Sequence, residues 1–234
     1  MGSFDFVTFF FFVAAVVIFI QLRSVLGKRT GHEPPPQDQM ARRDQTPAVD
    51  GLDDPKVVTL PRHGRETAEP DVFAAVDAYA EPGSELNKGL REVVTADSSF
   101  APNEFVGGAS AAYEMIVSAY AEGDRKTLKG LLSREVFDGF VAAIDEREAR
   151  NETVQSNFVG IEKASIIQAE MKGSEANITL RIICQLVSAT LDKDGEVIEG
   201  DLVEVTDVND VWTFARDTRS RDPNWRLIAT EADQ

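Results

Sequence analysis

The stretch ANITLRIICQL, residues 176–186, sets Ala176, Ile178, Leu180, Ile182, Cys184 and Leu186 at every second position, and the other face begins polar with Asn177, Thr179 and Arg181. Successive side chains of a strand point to opposite faces, so this period of two reads as a β-strand with one apolar face. Turn signals stand around it: KGSE at 172–175, DKDGE at 192–196 and RDPN at 221–224. They divide the region after Asn151 into four antiparallel strands in meander order, at about 157–171, 175–191, 197–215 and 224–231. Beyond Leu186 the apolar face becomes ambiguous, as in a strand that bends or carries a bulge.

Upstream the period becomes helical. Asp71 is placed to cap a helix burying Val72, Phe73, Val76 and Tyr79, which EPGS at 81–84 ends. A second helix from about Ser84 buries Leu86, Leu90, Val93 and Val94. The segment 105–124 puts Ala109, Ala112, Tyr113, Ile116 and Tyr120 on one stripe closed by Gly123. Two more helices follow, capped by Asp124 and Ser133, the second with Val136, Phe137, Phe140, Val141 and Ile144 at helical spacing. The small residues Gly107, Gly108 and Ala109 predict close helix packing. Helices laid on one face of a curved four-stranded antiparallel sheet give an α+β cone over residues 70–234.

The chain begins very differently. Residues 6–20 are apolar except for Thr8, and twelve of the fifteen are Phe, Val or Ile. With Gln21 and Leu22 the block reaches about 25 Å as a helix, the short end of a bilayer span. Its insertion preference sums to about −5 kcal/mol. The cations Arg23, Lys28 and Arg29 follow the block, which is the wrong order for a cleaved signal and the right one for a signal anchor. Residues 1–22 are therefore expected to be a single transmembrane anchor, with the domain on the cytoplasmic side, or its equivalent, by the positive-inside rule. Residues 23–69, rich in Pro and poor in apolar side chains, read as a disordered tether.

Composition narrows the function. The chain carries 40 acidic and 24 basic residues, which speaks against a nucleic-acid surface. Residues 70–234 alone hold 31 acids and 16 bases, and both histidines, His32 and His63, lie in the tether. His-based catalysis and metal binding are thus removed from the domain, no cofactor motif is present, and Cys184 reads as a buried strand residue.

FVGGASAAYEMIVSAYAEGDRKTLKGLLSREVFDGF (105–140) and DVWTFARDTRSRDPNWRLIATE (210–231) resemble the C-terminal domain of the Tim44-like family of mitochondrial import-motor adaptors, with its short TimA-type relatives in alphaproteobacteria. The resemblance implies a cone like nuclear transport factor two, with a large apolar pocket between helices and sheet. It also implies a scaffold that joins a translocase, a chaperone and the inner membrane. Where the family carries a long charged helical region that recruits the chaperone, this chain is expected to carry a membrane span and a short tether, so the resemblance does not extend to that role.

Tyr113, Ile116, Tyr120, Phe137, Phe140, Trp212, Phe214 and Trp225 are the candidate pocket and partner-binding residues; Trp212, Phe214 and Trp225 match the family's WTF and NW positions. Arg23, Lys28, Arg29, Arg216, Arg219 and Arg221 are candidates for contact with anionic lipid at the membrane surface. The expected function is a non-enzymatic adaptor that binds a partner protein or lipid near the inner membrane, linked to protein translocation or membrane-complex assembly. The alternative is a small-molecule enzyme using pocket carboxylates and tyrosines, for which a buried acid in the pocket would be the discriminating feature.

Overall fold

The computed structural model describes residues 72–232. The apolar block at 6–20, the tether and Asp71 lie outside the described residues, and among those described no helix is long and apolar enough to cross a membrane.

Five helices precede five strands: α1 (Ala74–Tyr79), α2 (Glu85–Ala96), α3 (Pro102–Glu122), α4 (Arg125–Leu131), α5 (Arg134–Ala149), then β1 (Thr153–Lys172), β2 (Glu175–Leu191), β3 (Val197–Gly200), β4 (Thr206–Asp217) and β5 (Arg226–Ala232). The helix starts follow local chemistry. The Ser84 side chain accepts from the Asn87 amide, Asp124 from the Lys126 and Thr127 amides, and Ser133 from the Val136 amide. Pro102 opens α3, and Gly123, at φ 72°, closes it in the left-handed region. The first helix starts later than the sequence suggests. Phe73 occupies the cap position without a side-chain cap, its ring lies under the Arg91 guanidinium, and Val72 is left exposed.

The sheet is antiparallel, in the order β1-β2-β4-β5, with β3 beside the far end of β2. Ala176, Ile178, Leu180, Ile182 and Cys184 are all fully buried on the helix side, as their alternation predicts. The twenty residues of β1 pair with the seventeen of β2 through register shifts at Phe158/Gly160, Ile161/Lys163 and Ile166/Gln168. Each shift leaves one extra residue on β1, which bends that strand.

The structure corrects the four-strand expectation to five. The predicted strand 197–215 is broken at Gly200, where φ is +76° and an added Cβ would stand 2.2 Å from the Ser188 carbonyl oxygen. The Asp201 amide donates to that same carbonyl, and the Asp201 carboxylate accepts from the Val203 and Glu204 amides. This turn steps the chain away from β2 before β4 returns to pair with it.

Helices α2 and α3 lie over β1, while α4 and α5 reach β5. At that edge the Ser133 amide donates to the Leu227 carbonyl, and Tyr79 accepts the Ile166 amide at 2.7 Å on the other side. Asn87, buried, donates to Asp77 and to the Ala80 carbonyl, fastening α1 to α2. The close approach expected at Gly107 and Gly108 is found at Gly89 instead. Both of the former face open space, whereas a Cβ on Gly89 would sit 2.0 Å from the Ala169 carbonyl oxygen of β1.

Gly89→Ala is expected to destabilise the protein by about 3 kcal/mol, because backbone faces backbone there and neither can yield cheaply. Gly107→Ala, in an exposed helix interior, should stabilise it by about 0.5–1 kcal/mol. Thermal unfolding of the two variants beside the parent checks both signs; a neutral Gly89→Ala would refute the packing described.

Candidate functional site

Between the N-terminal half of α3 and the β4–β5 connection lies a groove of about 400 Å³. Its floor is aromatic. Phe105 meets the Trp225 ring edge-on at 4.7 Å, Phe100 lies 5.7 Å from Phe105 and 5.9 Å from Trp225, and Phe214 closes the base at 6.3 Å from Phe105. Ala109, Ala112 and the half-exposed Met115 continue the wall along α3. Trp225 is carried there by a loop whose start is fixed, since the amide and hydroxyl of Thr218 both donate to the Ser174 carbonyl.

One charged pair stands in this wall. Arg216 of β4 is ion-paired with Asp97 just past α2, with side chains 15% and 16% exposed respectively, and its guanidinium lies 5.3 Å from the Trp225 ring centroid. Asp97 is held in place by the amide and hydroxyl of Ser99. Two opposite charges at this depth neutralise each other, so the groove offers an apolar surface more than a charged one. Removing either partner would leave a costly uncompensated charge.

A second polar feature lies in the core. Tyr113 of α3 donates its hydroxyl to Asp210 of β4 at 2.6 Å and sits 3.2 Å from the Cys184 sulfur of β2. Tyr113 is 1% and Asp210 4% exposed. Burial pushes the Asp210 carboxyl up to about 6, against the pull of the Tyr113 hydrogen bond, and burial likewise raises the Tyr113 hydroxyl and the Cys184 thiol. Neither Tyr113 nor Asp210 lines the groove.

Of the sequence candidates, Phe214 and Trp225 lie in the groove. Tyr113, Ile116 and Trp212 are sealed in the core, with Tyr113 and Trp212 rings 4.4 Å apart. Tyr120 and Phe140 meet at the opposite end of α3, 5.2 Å apart, and Phe137 packs beside the core from α5. Arg147 donates to the Tyr120 and Ala121 carbonyls there, completing the end of α3. Arg216 points inward to Asp97, Arg219 and Arg221 are exposed, and Arg23, Lys28 and Arg29 lie outside the described residues.

Sequence reasoning missed Phe100, Phe105, Met115 and Asp97, as well as the burial of Asp210. For Asp210 a signal existed: Val208, Asp210, Trp212 and Phe214 share one face of β4, so the acid falls on the inward side of an apolar strand.

The raised Asp210 carboxyl has a signed consequence. In the unfolded chain it ionises near 3.8, in the folded protein near 6. Between those values the folded state holds a proton that the unfolded state loses, so this group's contribution to stability falls as pH rises through the window. Above pH 6 it costs about 3 kcal/mol in full. Asp210→Asn, which can still accept the Tyr113 hydrogen bond, should match the parent at pH 4 and gain on it steadily up to pH 7. Urea unfolding across that range reads the difference; parallel curves would remove the buried ionisation.

Comparison with known proteins adds the lineage. The Tim44-like domain family matches residues 86–232. The mitochondrial import inner membrane translocase subunit TIM44-1 of Arabidopsis thaliana is 25% identical over 124 residues, which are 53% of this chain and 26% of that protein. The match thus spans about a quarter of the relative's length. Among solved structures, the intermembrane space region of chloroplast protein ARC6 aligns with 54% of this chain and 95% of its own, at 8% identity and TM-score 0.39. A putative dehydratase from the NTF2-like family, from Streptomyces avermitilis, aligns with 56% of this chain and 97% of its own, at 17% identity and TM-score 0.32. Scores this low carry no argument. The family match, which takes in well over half of the sequence together with the strands and helices that build the groove, does: the chain belongs to the Tim44-like domain family.

Proposed function

We propose that this protein is a membrane-anchored adaptor whose groove holds an apolar segment of a partner protein, or a lipid tail, close to a bacterial inner membrane, in the service of protein translocation or membrane-complex assembly. The observation that carries the reading is the composition of the groove: four aromatic rings and a row of small α3 side chains, with its Arg216–Asp97 pair neutralised internally. Such a surface gains its free energy from burying apolar area and from ring contacts. The name of the Arabidopsis relative, an inner membrane translocase subunit, agrees with it, as does the apolar block at residues 6–20 followed by cations.

The enzyme reading retains one specific observation, the Tyr113–Asp210 pair with its carboxyl titrating near 6. An acid of that kind suits proton transfer only where substrate can reach it. Its burial, outside the groove, favours a structural role. If Asp210→Asn abolished a turnover by the purified protein without loss of folding, the enzyme would displace the adaptor.

Two measurements test the adaptor. A photoactivatable residue replacing Met115 in the full-length chain should cross-link in cells to one membrane-associated protein or to lipid. Ala111→Glu, which puts a charge at the exposed rim without touching the core, should suppress that product while leaving thermal unfolding unchanged. Undiminished cross-linking in the Glu variant would rule the groove out. A topology reporter fused after Gln234 should read cytoplasmic, and a periplasmic signal would reverse the orientation.

A further inference from the structure

Residues 192–207, DKDGEVIEGDLVEVTD, form the turn after β2, the strand β3, the loop into β4 and the first two residues of β4, and they hold seven carboxylates against the single cation Lys193. The aliphatic side chains among them face water: Val197 is 44% exposed, Ile198 51%, Leu202 48%, Val203 82% and Val205 49%. Val197 and Ile198 are sequence neighbours on opposite faces of β3, so each face of that strand shows an aliphatic side chain to water. Among the described residues β3 pairs only with Ala189–Leu191 of β2, which leaves its other edge open. Five exposed aliphatics within nine residues, on an open edge, mark a contact surface.

Charge selects the occupant. A second copy would set seven carboxylates against seven, and an anionic bilayer surface would repel them. A cationic segment with aliphatic side chains answers both features, and the chain itself supplies one. QLRSVLGKRTGH, residues 21–32, interleaves Leu22, Val25 and Leu26 with Arg23, Lys28 and Arg29, and no acid occurs from Phe6 to His32. Residues 33–71 separate it from the described domain; a chain of that length has a random-coil reach of about 35 Å, so contact within one molecule is favoured over contact between molecules.

We infer that the β3 hairpin docks the basic segment 21–32 of its own chain and so holds the domain beside its anchor. The inference rests on the anchored reading given above. Exposed ion pairs of this kind are individually weak and screened by salt, so the docked state opens and closes and an ionic competitor releases it.

Carbodiimide cross-linking of the full-length chain in nanodiscs of neutral phosphatidylcholine, at low salt, tests it by peptide mass spectrometry. Lys28 should join carboxylates in the 196–204 segment, in preference to Lys56, which is nearer to the domain in sequence. Mixed isotopically light and heavy chains should give no light–heavy product, and the Lys28 product should be lost at high salt and in the Arg23→Glu/Arg29→Glu variant. Light–heavy products would assign the surface to a second copy. Equal yields from Lys56, or no Lys28 product at all, would overturn the docking. Flotation of the same chain with liposomes reads the anchor separately: a chain that stays at the bottom of the gradient refutes the anchor, whatever Lys28 has joined.

Discussion

Twenty residues of β1 are held against seventeen of β2, and much of the architecture follows from that mismatch. Three surplus residues, each unpaired at its own register shift, curl the strand around the helix layer. The curl lets one long helix, α3, lie against a concave sheet with Tyr113 and Ile116 buried near its middle. It also explains why α2 approaches so closely that only a glycine, Gly89, fits over the Ala169 carbonyl. A flat sheet would keep its apolar face but lose both the depth and the tight seat for α2.

Along α3 the same helix serves three environments. Its first half, from Phe105 to Met115, walls the groove opposite Trp225. Its centre meets the sheet through Tyr113, whose hydroxyl satisfies Asp210 and Cys184 in an otherwise apolar interior. Its end sets Tyr120 edge-to-face with Phe140 and is closed by Arg147, which donates to the terminal carbonyls. The buried carboxyl is expensive in its charged form, and the tyrosine alone offsets only part of that cost, so the carboxyl titrates near 6. A polar link of this kind fixes the register of helix on sheet more narrowly than apolar contact would.

The groove and the β3 hairpin sit towards opposite ends of β2: the loop bearing Trp225 is fastened at Ser174, before β2 begins, and β3 pairs with its last residues. A domain with an aromatic groove at one end and an acidic, aliphatic edge at the other presents two chemically distinct surfaces.

Much of this was written in local sequence. The alternation at 176–186, the caps Ser84, Asp124 and Ser133, the left-handed Gly123 and the turns at Gly173 and Gly195 depend on hydrogen bonds and backbone preferences spanning only a few residues, and a sequence displays those directly. The same periodicities show which side of an element is apolar. They do not show which apolar side chains end in a sealed core and which in an open wall, because that depends on what a distant segment places opposite. Thus Tyr113, Trp212 and Phe214 are all closed off while Trp225, alike in pattern, stays half-buried, and Phe100 and Phe105 become the groove floor only because the loop after β4 brings Trp225 over them. Gly89 and Gly107 look equivalent in sequence, yet only one faces a carbonyl of β1. Sequence by itself determined most of the elements and their inward faces, through short-range bonding and period, the break between β3 and β4 excepted. The groove, the Arg216–Asp97 pair and the Tyr113–Asp210 link were decided by tertiary structure, since each is made by residues about a hundred positions apart that only the curvature of the sheet brings together.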